Sequence, residues 1–149
     1  MKLFVMRHGQ AEAYAASDEQ RVLTEEGREE VARVAQSLIG VKLDGILCSP
    51  YQRARETAAI VAGVHGGGLT PKVVDGFTPD SAPREAVGQL PEEGVWLLVS
   101  HMPLVSRLTG LLVDSHEHAG PGFNTGMITE LDMDYPAAGM AWLKKTFRP

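Results

Sequence analysis

The eight residues Lys2-Leu3-Phe4-Val5-Met6-Arg7-His8-Gly9 decide the fold. Lys2 to Met6 form a compact apolar run, short and followed at once by charge, which reads as a buried strand. The run stops abruptly at a cation, an imidazole and a glycine. In open α/β sheets, ligands bind beyond the carboxyl ends of the strands, so this strand presents Arg7 and His8 where a ligand site is expected.

Working outward, a polar loop runs from Gly9 to about Leu23. Thr24 then reads as an N-cap, with Glu25 and Glu26 in the first turn where acids suit the helix dipole. Val31, Val34, Ala35, Leu38 and Ile39 share one helical face, and Gly40 is placed to end that helix. Gly45 to Cys48 is a second short apolar run. Ser49-Pro50-Tyr51-Gln52 reads as a helix start, with Ser49 at the cap and Pro50 at the first position. That helix is expected to reach Val64, stopped by His65-Gly66-Gly67-Gly68. Residues 65 to 92 read as a loop rich in Gly, Pro and Asp, with a short strand at Val73-Val74. Val95 to Val99 is the clearest buried strand, and Ser100-His101-Met102-Pro103 turns it into a helix through Leu112. Met127 to Leu131 and Met140 to Leu143 read as closing strands. Alternating strand and helix predicts a three-layer α/β/α sandwich, a mostly parallel sheet with helices on both faces, and residues 1–149 read as a single domain.

Composition sets bounds on function. With 149 residues, 44% apolar and 22% charged, the chain is ordinary globular protein. Its net charge of −5 argues against nucleic acid as a partner. Cys48 is the only cysteine, so no internal disulfide is expected. The apolar start is too short for a signal peptide, and no stretch has the length of a membrane span. The expectation is a cytoplasmic protein with no membrane partner.

Three polar groups fall at strand ends: Arg7-His8-Gly9, Ser49 to Arg53, and Ser100-His101. Arg7 and Arg53 offer planar, permanently charged forks suited to phosphate oxygens, and Arg53 lies in the first turn of its helix, where free N–H groups favour an anion. A neutral imidazole can act as a nucleophile and carry a covalent intermediate. A second imidazole, held protonated beside a phosphate, can donate to the transferring group. Gly9 is expected to let the backbone approach the bound group closely. Each feature alone is commonplace on protein surfaces; their joint occurrence at three strand ends points to phosphoryl chemistry.

Met6-Arg7-His8-Gly9 after the first strand resembles the signature of the histidine phosphatase superfamily, which includes the cofactor-dependent phosphoglycerate mutases. Ser49-Pro50-Tyr51-Gln52-Arg53-Ala54-Arg55-Glu56-Thr57-Ala58 is similar to its second motif, and Val99-Ser100-His101 to its third. The resemblance implies that His8 is the nucleophile and that Arg7, Arg53 and His101 form the phosphate pocket, with Arg55 a bystander. Ala15-Ala16-Ser17-Asp18, Arg21-Val22-Leu23-Thr24 and the stretch from Ser100 to Val105 resemble the small SixA-type phosphohistidine phosphatases. In that resemblance Arg21 also approaches the phosphate. The implied partner is a phosphohistidine-bearing carrier or phosphorelay protein. The alternatives are a phosphatase of small sugar or nucleoside phosphate esters and a non-catalytic phosphate-binding module. Members acting on esters carry a general acid after the second helix; Asp75 and Asp80 are the candidates here, with Glu85 nearby, and none sits in a matching context. No cofactor is implied. His116-Glu117-His118 lacks the spacing of a familiar zinc site, and with His65 these residues are read as loop positions, not metal ligands.

Overall fold

The computed structural model describes all 149 residues. In chain order the strands are β1 (Lys2–Arg7), β2 (Gly45–Cys48), β3 (Lys72–Val73), β4 (Val95–Ser100), β5 (Ile128–Met133) and β6 (Ala141–Phe147). The helices are α1 (Glu25–Ala35), α2 (Gln52–His65), α3 (Pro83–Val87) and α4 (Leu104–Asp114). One sheet of order β3-β2-β4-β1-β5-β6 holds all six strands. Strands β3, β2, β4 and β1 pair in parallel, whereas β5 runs antiparallel to β1 and β6 antiparallel to β5.

Side chains alternate across a strand, and β1 shows the consequence. Leu3 and Val5 enter a core shared with Ala86 of α3 and Leu104, Leu108 and Leu112 of α4. Phe4 and Met6 enter the opposite core, with Val31 and Val34 of α1 and Ala58 and Val61 of α2. Both faces of the sheet are therefore covered, as expected for the three-layer sandwich, and β1 is apolar without interruption because neither face meets water. No helix is long and apolar enough to cross a membrane.

The start of α1 follows its sequence signals: Thr24 Oγ1 accepts from the Gly27 N–H at 2.9 Å. Gly66, in the left-handed region at φ 76, ends α2. The predicted start of α2 needs correction. Its N-cap is Tyr51, and Ser49 lies outside the helix, because the Ser49 hydroxyl accepts from the Tyr51 N–H at 3.2 Å and pairs with His101. The segment read as loop between residues 65 and 92 also holds α3 and a 3₁₀ turn at Asp75–Phe77. Five residues of α3 are too few to display helical periodicity, and only Pro83 at its start gives a signal.

Candidate active site

Backbone hydrogen bonds lace the three strand ends together. The His8 N–H donates to Ser100 O at 3.0 Å, and Ser49 N–H to Val99 O at 3.0 Å. The Gly126 N–H donates to both Arg7 O and His8 O, at 3.1 and 3.0 Å. Four residues from three distant stretches of sequence, Arg7 and His8, Arg53, and His101, thereby meet at one end of the sheet. The rings of His8 and His101 lie 5.0 Å apart, and both residues are buried, as is Arg53.

The partners of His8 fix its chemistry. Nδ1 stands 2.7 Å from Gly9 O. A carbonyl can only accept, so Nδ1 carries the proton and Nε2 presents a lone pair. That lone pair accepts from Arg53 Nε at 3.3 Å. Burial is the main influence lowering the His8 pKa, to about 4; the Gly9 hydrogen bond opposes it, and the charges of Arg53, Arg7 and Arg21 reinforce it. His8 is thus a neutral imidazole with a defined free nitrogen.

His101 is held differently. Its Nε2 lies 2.7 Å from Ser49 Oγ, a group able to donate or accept, while its Nδ1 is buried without a partner. Tyr51 packs edge-on against it, with ring centroids 5.0 Å apart. Burial, then the proximity of the His8 ring and the charges of Arg53 and Arg7, push its pKa down to about 2. The protein alone thus holds His101 neutral, and the expectation of a protonated His101 is tied to a phosphate beside it. Arg7 donates from Nη1 to Phe123 O at 2.7 Å, and its Nε is likewise buried without a partner. Buried polar atoms are normally satisfied, and these two belong to residues that the strand ends bring to the same end of the sheet.

Gly9 serves a different purpose from the one expected. A Cβ there would lie 2.6 Å from Val31 Cγ2 and 3.0 Å from Gly27 O, so the missing side chain admits α1. The Gly9 N–H donates to Thr57 Oγ1 at 3.1 Å, joining the strand end to α2.

Arg21 is near enough for its charge to lower both histidines, but its Nε donates to Asp18 Oδ1 at 2.9 Å and its Nη1 to Glu12 O at 3.1 Å. Asp18, absent from the expected site, also receives Arg53: Nη1 on its carbonyl at 2.7 Å and Nη2 on Oδ2 at 3.2 Å. Ser49 was likewise not foreseen as the partner of His101. Arg55 is exposed and lines an outer cleft with Cys48, Gln52 and Glu56. Asp75 and Asp80 are exposed, and neither hydrogen-bonds a site histidine; Asp75 lines a cleft with Gln89, Leu90 and Trp96, while the charge of Asp80 reaches Tyr51. Glu56 is engaged by the Leu23 N–H and Arg28. His65 donates to Val41 O at 2.6 Å, and the exposed His116 and His118 belong to no group of three or more possible metal ligands.

Residues 3–78 match the histidine phosphatase superfamily (branch 1). The chain is 35% identical over 146 residues to phosphohistidine phosphatase SixA of Escherichia coli (strain K12), covering 93% of this chain and 89% of that protein. It is 36% identical over 126 residues to a SixA homolog of Haemophilus influenzae (strain ATCC 51907 / DSM 11121 / KW20 / Rd), covering 75% and 77%. The solved structure of the protein histidine phosphatase SixA complexed with tungstate superposes with a TM-score of 0.88 at 28% identity, covering 100% of this chain and 97% of that one.

Proposed function

The chain belongs to the histidine phosphatase superfamily, and on that premise we propose that it removes the phosphoryl group from phosphohistidine on a protein, carrying it transiently on His8. The observation that carries this reading is the state of His8, whose Nδ1 is pinned by Gly9 O and whose Nε2 lone pair accepts from Arg53, with the charge of Arg7 near enough to act on the ring. In the first step Nε2 attacks phosphorus while the bond from phosphorus to the substrate imidazole breaks. Phosphoryl transfer needs little from the protein beyond positioning and positive charge around the oxygens. Arg53, Arg7 and the unpartnered Nδ1 of His101 supply that charge and those donors. In the second step water attacks the phosphorus on His8, releasing inorganic phosphate and restoring the neutral ring.

The absence of a carboxyl group bonded to either histidine favours a P–N over an alkyl P–O substrate. An alkoxide must be protonated as it leaves, a task worth about 10²- to 10⁴-fold from a positioned acid. A phosphohistidine whose distal ring nitrogen has taken a proton from water expels neutral imidazole and needs no such acid. Asp18 does not fill the role, since two arginines hold it ionised. The names of the relatives in Escherichia coli and Haemophilus influenzae support the same substrate class; the bearer we propose is a carrier or phosphorelay domain.

The test is a substrate panel run with rapid acid and alkali quenching. Phosphohistidine protein and phosphoramidate are expected to turn over much faster than sugar or nucleoside phosphates, with aryl phosphates between. The trapped phosphate is expected on His8, labile in acid and stable in alkali. A sugar phosphate as the better substrate overturns the reading.

A further inference from the structure

We infer that Asp18 is a positioning residue for phosphoryl transfer, holding the end of the Arg53 guanidinium so that its Nε edge faces the reactive nitrogen of His8. The inference rests on the proposed role of His8. Arg53 uses three of its five N–H groups within the protein. Nη1 and Nη2 both go to Asp18, on the carbonyl at 2.7 Å and Oδ2 at 3.2 Å, and Nε goes to His8 at 3.3 Å. With its end clamped, the guanidinium turns only its side toward His8. A phosphoryl group on Nε2 meets that side.

Asp18 is itself braced. Its second carboxylate oxygen accepts from Arg21 Nε at 2.9 Å, and Arg21 Nη1 is anchored on Glu12 O at 3.1 Å. The Arg21 backbone N–H also donates to Asp18 O at 3.3 Å, closing the 3₁₀ turn Asp18–Gln20. The chain of contacts runs Glu12, Arg21, Asp18, Arg53, His8. It assigns Arg21 to bracing Asp18 instead of holding phosphate. Burial alone would raise the Asp18 carboxyl, but the charge of Arg53 and the hydrogen bonds from both arginines outweigh it and keep the group ionised. The Arg53 side chain is 4% exposed and that of Asp18 55%. The rim residue therefore holds the buried one without entering the pocket floor.

The sign of one substitution separates positioning from plain electrostatics. Asp18→Asn removes a negative charge beside an anion site, so electrostatics alone predicts tighter anion binding and faster turnover. Positioning predicts the reverse: a loss in kcat on the order of 10- to 100-fold, the scale of a small misplacement at the reacting centre, and weaker binding of vanadate. Coupling decides the route. If Asp18 acts through Arg53, then Asp18→Asn costs little more once Arg53→Ala is present, because contacting residues are not additive.

The experiment measures kcat and KM with phosphoramidate, vanadate affinity by calorimetry, and the melting temperature, for the wild type, both single variants and the double variant. The expected result is a slower, weaker-binding Asp18→Asn with an unchanged melting temperature and strong coupling to Arg53→Ala. Faster turnover, tighter vanadate binding, or losses that multiply in the double variant overturn the inference. If the wild type forms no phosphate adduct on His8, the proposed function fails separately, and the vanadate cycle still decides whether Asp18 orients Arg53.

Discussion

The ends of β1 and β4 each deliver a buried histidine to the same pocket, but the atom facing the far side of each ring differs in kind. Behind His8 stands a carbonyl, Gly9 O, at 2.7 Å; against His101 stands a hydroxyl, Ser49 Oγ, also at 2.7 Å. A carbonyl accepts only, so it locks one tautomer of the neutral ring and leaves the lone pair on Nε2. A hydroxyl reverses its role, so His101 can gain a proton as charge builds nearby without losing its partner. The difference teaches that the residue type alone does not assign nucleophile and donor; the second-nitrogen partner does.

The largest expected effect comes from removing each ring in turn. His8→Ala is expected to abolish both turnover and the trapped adduct, because it removes the nitrogen proposed to carry phosphate. His101→Ala leaves Nε2 of His8 intact, so the adduct still forms, with a rate lower by on the order of 100-fold or more for the loss of one transition-state donor. Rapid-quench labelling checks both. An adduct that survives His8→Ala, or one that His101→Ala removes altogether, breaks the contrast between the two strand ends.

A second consequence concerns acid stability. His8 and His101 are both held below the ordinary value of 6.5, at about 4 and about 2. Below that ordinary value the unfolded chain binds protons that the folded chain refuses, so stability falls as pH drops. For His8 the loss levels off once pH passes below about 4; for His101 it continues further. Each fully engaged ring steepens the dependence by about 1.4 kcal/mol per pH unit. His101→Asn is therefore expected to flatten the stability curve by about that slope between roughly pH 5.5 and pH 4.5, read from urea unfolding. Parallel curves for the variant and the wild type would mean that His101 is not held neutral.

How much of this was legible in the sequence follows the same contrast. The apolar runs ending at Arg7-His8 and Ser100-His101 announce themselves, because strands buried on both faces have no polar positions until they end. The covering of both sheet faces follows from the alternation of strand and helix. Asp18 did not announce itself. It shares a polar loop with Glu12 and Glu19, and only the 3₁₀ turn decides which carboxylate reaches Arg53. The spacing of Asp18 and Arg21, three apart, was the available signal. Ser49 looked like a helix cap because Ser-Pro is a common helix start; its hydroxyl was claimed instead by a histidine 52 positions away. Gly9 reads in the sequence as room for a ligand, while the structure gives its space to Val31. Local patterns reveal elements, and long-range partners decide roles.

The smallest expected effect bears on what the pocket lacks. Neither strand end brings a carboxyl group to its histidine, so the chemistry must proceed without a positioned acid. Asp75→Asn and Asp80→Asn are therefore expected to leave phosphohistidine cleavage nearly unchanged, within about twofold, well short of the 10²-fold or greater loss seen for a working general acid. The two positions are not equivalent. Asp75 lines a cleft with Gln89, Leu90 and Trp96, whereas the charge of Asp80 reaches Tyr51, whose ring packs against His101. The measurement that matters is kcat for phosphoramidate beside kcat for an alkyl phosphate in both variants. If Asp80→Asn spares the first and abolishes a residual second activity, Asp80 is an acid for ester side reactions alone. If it abolishes both, the β4 end carries an acid after all, and the preference for P–N bonds loses its physical basis.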